Sequence, residues 1–294
     1  MKIKIGSRSS KLALKQVEIA VNEMGIKDYE IVKIKTQGDL KSSEGRTQFD
    51  KLNFVEEIEN LLFNEEIDLA VHSAKDMPAK DNPSLKNCYI IENNSIAFYD
   101  SWFKDLLIFR DGSEKKFEKS MKLGTSSLRR KMQAKYYLDA LNIHDLNGNI
   151  DTRINKLESG DYDCIILANA GCKRLKYNLN AVELDHYTSP GQGMICIQSK
   201  GTSSYLEELD LKHKRNKIMM DLQKKFLIEV GADCNSSIAL NVDLQASFED
   251  VTLNVEVYGK NKKIKFSGYG KDCLQDALAK FHLMKGGLLL NEHN

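Results

Sequence analysis

The sequence is poor in the residues and segments that mark several large classes of protein. It has only 3 prolines and 18 glycines in 294 residues, which excludes collagen and low-complexity disorder. Its 6 cysteines include no Cys-x-x-Cys pair, so neither a disulfide framework nor the ligand spacing of a zinc site is present, and no metal is expected. No apolar run approaches the roughly 18 residues that a membrane-spanning helix needs. The chain opens on a strand-like segment rather than a charged and then apolar one, so we expect no secretory signal and a reduced, cytoplasmic protein.

Charge of one sign is also lacking, because 43 Lys and Arg balance 42 Asp and Glu to a net charge of +1. Such a molecule has no overall field that would hold nucleic acid or an anionic membrane, and neither is an expected partner. Arginine itself is scarce. Where Lys is the usual cation, an Arg indicates that a planar two-pronged donor is needed. The eight arginines are Arg8, Arg46, Arg110, Arg129, Arg130, Arg153, Arg174 and Arg215.

Hydrophobic periodicity alternates between strand and helix over the first two thirds of the chain. A chain of 294 residues is too long for one small core and predicts two or three domains. The first unit has predicted strands at 2–6, 30–36 and 67–71, with helices at 12–24 and 54–63. A second unit begins near Met121 and repeats the pattern with helices at 126–138 and 150–158 and a strand at 164–167. The order predicts parallel sheets, and two such units place a ligand in the cleft between them.

The pattern changes after about residue 211. Residues 212–229 predict one amphipathic helix, and 272–284 predict a second. Between them, short alternating segments at 238–244, 251–258 and 263–269 are typical of an antiparallel sheet. A third, smaller α+β domain is therefore expected.

Polar turns that begin predicted helices hold the candidate chemistry. In residues 6–10, Gly-Ser-Arg-Ser-Ser, free backbone N–H groups and Arg8 suit an anion. Alone, however, this segment is read more simply as a helix capped by Ser9 or Ser10. Residues 124–130, Gly-Thr-Ser-Ser-Leu-Arg-Arg, repeat the design with two arginines. Cations in the first turn of a helix oppose its dipole, so a bound anion is favoured there.

Two further turns carry Arg153 and Arg174, so five of the eight arginines fall at one predicted cleft. The ligand is therefore expected to carry several carboxylates or phosphates. A nucleotide is the weaker choice, because no Walker or dinucleotide-binding fingerprint accompanies the arginines.

Residues 72–78, His-Ser-Ala-Lys-Asp-Met-Pro, follow a predicted buried strand. Asp76 and Lys75 form a surface ion pair on the simplest reading. At the end of a strand, Asp76 can instead stabilise a cation or move protons. Residues 191–193, Gly-Gln-Gly, read as a tight turn or hinge. Cys234 stands in a polar, turn-like context that leaves it open to modification, unlike the other cysteines.

Taken together, residues 5–14, 68–78, 123–130 and 191–193 resemble the porphobilinogen deaminase family, whose members are also called hydroxymethylbilane synthases. The resemblance covers nearly the whole chain. It implies an α/β fold with two doubly wound domains like those of periplasmic binding proteins around a cleft, plus a small C-terminal α+β domain with an antiparallel sheet. The implied domains are 1–92 with 190–211, then 93–189, and finally 212–294. The implied protein is monomeric.

The resemblance also implies a reaction. Such enzymes are transferases of haem biosynthesis that condense four porphobilinogen units head to tail with loss of ammonia, and release a linear tetrapyrrole by hydrolysis. The chain grows on a dipyrromethane cofactor held by a thioether, here on Cys234. Asp76 matches the catalytic aspartate, which stabilises a cationic azafulvene. Substrate- and cofactor-binding positions match Arg8, Ser10, Lys51, Phe54, Ser73, Lys75, Thr125, Ser126, Ser127, Arg129, Arg130, Arg153, Ala170, Arg174 and Gln192.

Some positions depart from the family pattern. Asn147 replaces an arginine, Thr47 replaces a mobile-loop lysine, and Ala232-Asp233 replaces a Gly-Gly pair before Cys234. An acidic Asp233 beside an anionic cofactor is electrostatically unfavourable. Two alternatives stay open: a non-catalytic cleft protein that binds polycarboxylates with the same arginines, and an inactive homologue.

Overall fold

Alternating strands and helices form most of the computed structural model, which describes residues 2–34, 52–92, 99–201, 203–233, 235–244 and 250–293. Three sheets organise the chain, two of five strands and one of three. None of the helices in these described ranges is long and apolar enough to cross a membrane.

The first sheet has the strand order β2-β1-β3-β10-β4. Strand β1 runs parallel to β2 and β3, as the alternation of strands and helices predicts. Strand β10 is antiparallel to both of its neighbours, so the sheet is mixed rather than purely parallel. The elements of this unit are β1 (Ile3–Arg8), α1 (Lys11–Glu23), β2 (Tyr29–Ile34), α2 (Leu52–Phe63), β3 (Leu69–Ser73), β4 (Leu85–Ile90) and β10 (Ile195–Lys200).

The second sheet follows the same plan, with the order β7-β6-β8-β5-β9. Strands β6, β7 and β8 are parallel, and β5 is antiparallel to β8 and β9. In each sheet the strand that is fourth in spatial order, β10 or β5, is therefore antiparallel to its two neighbours. The elements are α3 (Tyr99–Phe103), β5 (Asp105–Phe109), β6 (Leu123–Gly124), α4 (Leu128–Tyr137), β7 (Ile143–His144), α5 (Ile150–Glu158), β8 (Cys164–Ala168), α6 (Asn169–Arg174) and β9 (Ala181–Leu184).

The third unit is a three-stranded antiparallel sheet covered by helices. Its strands have the predicted bounds. The predicted single helix over 212–229 is wrong, because the helical backbone is interrupted at His213. The His213 ring is buried against Glu23 of α1, and its backbone leaves the helical region. The elements are α7 (Ser204–Lys212), α8 (Lys214–Glu229), β11 (Ile238–Leu244), β12 (Val251–Tyr258), β13 (Lys263–Tyr269), α9 (Cys273–Leu283) and α10 (Gly286–Asn291).

The third unit packs against both of the others. Its apolar core is continuous with one face of the first sheet, where Phe226 and Leu240 belong to the same cluster as Tyr89 and Met194. Its contact with the second unit is smaller and richer in tyrosine, formed mainly by α4 with Ala239 of β11 and Tyr258 of β12. Two mixed α/β units and a small antiparallel unit confirm the predicted fold class. The domain boundaries themselves stay a prediction.

The turn at 191–193 lies against the short 3-10 turn Ala74–Asp76 that follows β3. Gly191 has a φ of +67°, which disfavours any side chain. A Cβ atom there would lie 2.9 Å from the Ala74 carbonyl carbon. The absence of a side chain at Gly191 therefore lets the two turns touch through their backbones.

Gly191→Ala is expected to lower the free energy of unfolding by about 3 kcal/mol, since left-handed strain adds to a collision with rigid backbone. Urea denaturation measures this loss. Gly25→Ala is the matched control, because Gly25 has a φ of +66° and open space where its Cβ would lie. It should lose only about 1 kcal/mol. Equal losses in the two variants would contradict the backbone contact.

Candidate active site

A cavity of about 780 Å³ lies between the first and second units. That volume is toward the large end of the range for small-molecule sites. Its wall is built where strands end and helices begin, as expected for a cleft between two α/β units. The starts of α1, α4 and α5 all contribute, through Ser10, Ser127 and Asn149.

Most of the side chains named from the sequence lie on this wall. Thr125 does not: it is buried behind the wall, where its hydroxyl accepts a hydrogen bond from the Ser127 N–H at 3.4 Å. Lys51, the Phe54 side chain and Cys234 lie outside the described residues, although Asn235, next to Cys234 in sequence, is on the wall. The predicted residues on the wall are Arg8, Ser10, Ser73, Lys75, Asp76, Ser126, Ser127, Arg129, Arg130, Arg153, Ala170, Arg174 and Gln192.

The three helix starts differ in how their N–H groups are used. Ser10 caps α1, since its hydroxyl accepts a hydrogen bond from the Ala13 N–H at 3.2 Å. This confirms the predicted cap at Ser10, although Arg8 of the same segment lies on the cavity wall. At α4 and α5 the cap residues Ser127 and Asn149 make no such side-chain bond. The first N–H groups of these two helices are therefore not used by a side-chain cap, and they suit an anionic ligand.

A buried carboxylate, Asp105 at the start of β5, holds the arginine pair of α4. Arg129 Nη1 lies 2.8 Å from Asp105 Oδ2, and Arg130 Nη2 lies 2.6 Å from Asp105 Oδ1. Gln192 Nε2 donates a third hydrogen bond to Asp105 at 2.9 Å. Burial opposes ionisation of Asp105, but the two guanidinium groups outweigh it and hold its pKa below the usual value. The anion that the sequence predicts beside these arginines is thus supplied in part by the protein.

One carboxylate cannot neutralise two guanidinium groups, so this buried cluster keeps an excess positive charge. Arg129 also donates to Gln133 at 2.7 Å and to Ser189 at 3.1 Å. At Arg130, by contrast, Nε is buried without a hydrogen-bond partner among the described residues, and the residue is part of the cavity wall. The buried hydroxyl of Ser126 lacks a partner in the same way. Buried donors in this condition call for an acceptor that a ligand can supply.

Arg153 and Arg174 complete the basic wall. Arg153 donates to the Gly148 carbonyl at 2.7 Å, and Arg174 donates to the Gly193 carbonyl at 2.7 Å. Burial lowers the pKa of each guanidinium to about 10. The Nε of Arg174 is also buried without a partner among the described residues. Both groups stay charged at neutral pH in surroundings that favour a carboxylate beside them.

Asp76 ends the 3-10 turn after β3 and faces the same cavity. Its negative charge offsets part of the effect that burial has on the pKa of Arg153 and on the pKa of His72. Burial dominates at His72, however, and lowers its pKa to about 4. His72 is therefore neutral at physiological pH and adds no further positive charge beside Asp76.

Cations greatly outnumber carboxylates on the described wall. Asp76 and Asp151 are its two carboxylates, and Asp151 is already bonded to Lys11 at 2.9 Å and to the Tyr177 hydroxyl. Apolar side chains such as Leu12, Val55 and Ile150 fill the spaces between. A ligand that carries several carboxylates on an apolar frame fits this wall. The cations are Arg8, Lys11, Lys75, Arg129, Arg130, Arg153 and Arg174.

Two departures from the family pattern have clear positions. Asn147 is on the cavity wall, so an arginine there would add one more cation. Asp233 is not on the wall. Its carboxylate accepts hydrogen bonds from the Asn235 N–H at 2.8 Å and from the Ser236 hydroxyl at 3.1 Å. These local bonds hold the Asp233 charge within its own loop and reduce the electrostatic conflict that the sequence predicts.

Asp105 is the important site residue that sequence reasoning missed. It precedes an apolar strand, Leu-Leu-Ile-Phe, in which every residue is buried. An acidic residue that opens a fully buried strand needs a charged partner, and that signal was present in the sequence. The sequence does not show which arginines supply the partner.

Comparison with known proteins agrees with this geometry. Residues 3–208 match the family model described as "Porphobilinogen deaminase, dipyromethane cofactor binding domain". A porphobilinogen deaminase of Caldicellulosiruptor saccharolyticus is 34% identical over 250 residues, which cover 81% of this chain and 83% of that protein. One of Clostridium novyi is 34% identical over 254 residues, covering 81% and 82%. Among solved structures, an ancestral cationic amino acid solute binding protein is similar with 12% identity, 76% and 94% coverage and a TM-score of 0.43, too distant a likeness to bear on function.

Asp105→Asn is expected to lower the free energy of unfolding by about 3 kcal/mol at pH 7, because two buried guanidinium groups lose their carboxylate. Urea denaturation measures this loss. Asp185→Asn is the control, because the exposed Asp185 carboxylate pairs at the surface with Lys104. This variant should lose less than about 1 kcal/mol of unfolding free energy. The folded-state pKa of Asp105 lies below its unfolded value of about 3.9. Its stabilisation is therefore complete above pH 4 and is lost as the pH falls toward the folded pKa. A variant as stable as the wild type at pH 7 would contradict the pairing.

Proposed function

The chain belongs to the porphobilinogen deaminase family, and we propose that it is a hydroxymethylbilane synthase. It joins four porphobilinogen molecules head to tail, loses one ammonia at each joining, and releases the linear tetrapyrrole hydroxymethylbilane by hydrolysis. The observation that carries this proposal concerns the described part of the wall, where Asp76 is the one carboxylate without a bonded cation and cations dominate. The cations suit the acetate and propionate groups of the substrate, and the carboxylate suits the positive charge of its reaction.

The residues present fit a dipyrromethane cofactor, which the family model assigns to residues 3–208. The buried Nε atoms of Arg130 and Arg174 and the hydroxyl of Ser126 lack partners among the described residues, and all three residues line the cavity. They would hold the carboxylates of the two pyrroles, together with the first N–H groups of α4 and α5. When bound, the cofactor supplies a primer to which each new pyrrole unit is added.

We propose that the cofactor is attached to Cys234 by a thioether. The five other cysteines are buried. Burial raises the pKa of the Cys172 thiol to about 11 and those of Cys164 and Cys196 to about 12. Such thiols are poor nucleophiles at neutral pH. Asn235 adjoins Cys234 and lines the cavity, which supports an attachment point at its edge.

Asp76 would act on porphobilinogen as the amine leaves. The departure of ammonia turns the pyrrole ring into a cation, and a carboxylate beside the ring N–H lowers the energy of that cation. Lys75, Arg8 and Arg153 would offset the negative charge of each acetate and propionate as the chain lengthens.

A non-catalytic protein that binds polycarboxylates would use the same arginines without needing Asp76 or a modified cysteine. An inactive homologue would differ from the enzyme in its chemistry and not in its cavity. Two measurements separate these readings from the proposal.

Intact-protein mass spectrometry of the chain, expressed in a host that makes porphyrins, is expected to show the excess mass of two linked pyrrole units. Peptide mapping should localise the excess to Cys234. Cys234→Ser should remove it, and Cys273→Ser, which changes a buried cysteine of the same unit, should retain it. An unmodified wild-type chain, or an adduct that survives in Cys234→Ser, would overturn the attachment.

Asp76→Asn and Asp76→Ala are expected to keep the fold and the adduct while ammonia release from porphobilinogen falls at least about 100-fold, the usual range for loss of a charge-stabilising or proton-transferring group. Colorimetric assay of ammonia and circular dichroism measure the two properties. Asp151→Asn is the control, because it removes the other carboxylate of the wall. Turnover within tenfold of the wild type in both Asp76 variants would remove Asp76 from this role.

A further inference from the structure

A continuous series of buried hydrogen bonds leads from the arginine pair into the third unit. Arg129 Nη1 donates to Gln133 Oε1 at 2.7 Å. Gln133 Nε2 donates to the Tyr258 hydroxyl at 2.9 Å, and that hydroxyl donates to Glu256. Tyr258 and Glu256 belong to β12, whereas Arg129 and Gln133 belong to α4. The series therefore crosses from the wall of the cavity to the sheet of the third unit.

The direction of each bond in this series is fixed by chemistry. A guanidinium group only donates, so Gln133 must present its oxygen to Arg129. Its amide nitrogen must then face Tyr258 and also the Tyr187 carbonyl, at 2.7 Å. Because the Tyr258 hydroxyl accepts from Gln133, its own hydrogen is directed to the Glu256 carboxylate. No member can reverse without breaking a buried bond, which makes the series stiff.

Glu256 anchors the far end. It is 1% exposed, and it accepts hydrogen bonds from the Tyr137 hydroxyl at 2.7 Å and from Lys265 at 3.0 Å in addition to Tyr258. Burial opposes its ionisation, but these donors together hold the Glu256 pKa below the usual value. A fixed negative charge thus ends a series that begins at the positive arginine pair.

The backbone of Tyr258 makes a second connection. Its N–H donates to the Ser237 carbonyl at 2.9 Å, and its carbonyl accepts from the Ser237 hydroxyl at 2.6 Å. Ser237 is three positions after Cys234 in the sequence. One residue therefore joins the segment that follows Cys234 to the arginine pair of the cavity, through its backbone on one side and its hydroxyl on the other.

We propose that Tyr258 and Gln133 are positioning residues. They fix the position of the Arg129–Arg130 pair relative to the segment of the third unit that follows Cys234, and so set the affinity of the cavity for a polycarboxylate ligand. This inference rests on the proposed function for the identity of the natural ligand. Neither residue lines the cavity. They act through Arg129, whose contact with the shared Asp105 fixes the direction of Arg130.

Tyr136 offers a matched control at the same interface. Its hydroxyl donates to the Gly259 carbonyl at 3.1 Å, so it also joins α4 to the third unit. It has no hydrogen bond to Gln133 or Glu256 within the described residues, and it is outside the series. Tyr136→Phe and Tyr258→Phe remove the same atom from the same interface, but only the second interrupts the series.

Tyr258→Phe is expected to raise KM for porphobilinogen about tenfold with kcat changed less than twofold, since loosening a ground-state contact weakens uniform binding. Tyr136→Phe should change neither constant. Gln133→Met should match Tyr258→Phe, and the double variant should be no worse than either single one, because a series already interrupted loses nothing further. A general loss of structure would instead give additive effects.

A KM for Tyr258→Phe within twofold of the wild type would overturn the inference, as would an equal rise in Tyr136→Phe. If the wild-type chain shows neither adduct nor turnover, the proposed function has failed and the positioning role is decided separately. Calorimetric titration of the full chain carrying Cys234→Ser with benzene-1,2,4,5-tetracarboxylate then supplies the answer. About tenfold weaker binding on adding Tyr258→Phe supports the role, and unchanged binding overturns it.

Discussion

The ion pair between Asp105 and the two arginines of α4 is the interaction on which the rest of this cavity depends. Its three charged groups are almost completely buried, so each requires the others. Because a single carboxylate serves two guanidinium groups, the cluster is both held in place and left positive. An arginine that turned freely would pay a large ordering cost on binding, whereas Arg130 is oriented before any ligand arrives. The basic wall is thus local, which agrees with a whole-chain net charge of only +1.

The third unit meets its two neighbours by different means. With the first unit it shares a hydrophobic core, which has little directional preference and a large area. With the second unit it shares tyrosines, Gln133 and Glu256, whose hydrogen bonds each demand one geometry. Apolar contact therefore holds the third unit against the first, and directional hydrogen bonds fix its position relative to the second. A rearrangement of the second unit relative to the third must break specific bonds, not merely slide a surface.

Much of the fold could be predicted from the sequence, because strand and helix periods are strong local signals. The strand at 251–258 has its predicted bounds, and helix 150–158 does too. The antiparallel direction of β10 was missed, since nothing in residues 195–200 encodes which neighbours they join. The helix break at His213 was missed, and the residue that its ring contacts, Glu23, lies far away in the chain. The same limit applied in the cavity. The positions of the arginines at turns could be predicted from the sequence, but their pairing with Asp105 could not, because Asp105 becomes their neighbour only through folding.

The position of β10 has a consequence for how the protein is made. This strand lies between β3 and β4 in the first sheet, yet it consists of residues 195–200 and follows the entire second unit in sequence. During synthesis the first sheet therefore lacks β10 until about two thirds of the chain has emerged from the ribosome. Until then β3 and β4 present unpaired edges, which are sites for association with other chains. The first sheet is consequently completed only after every strand of the second sheet has been synthesised.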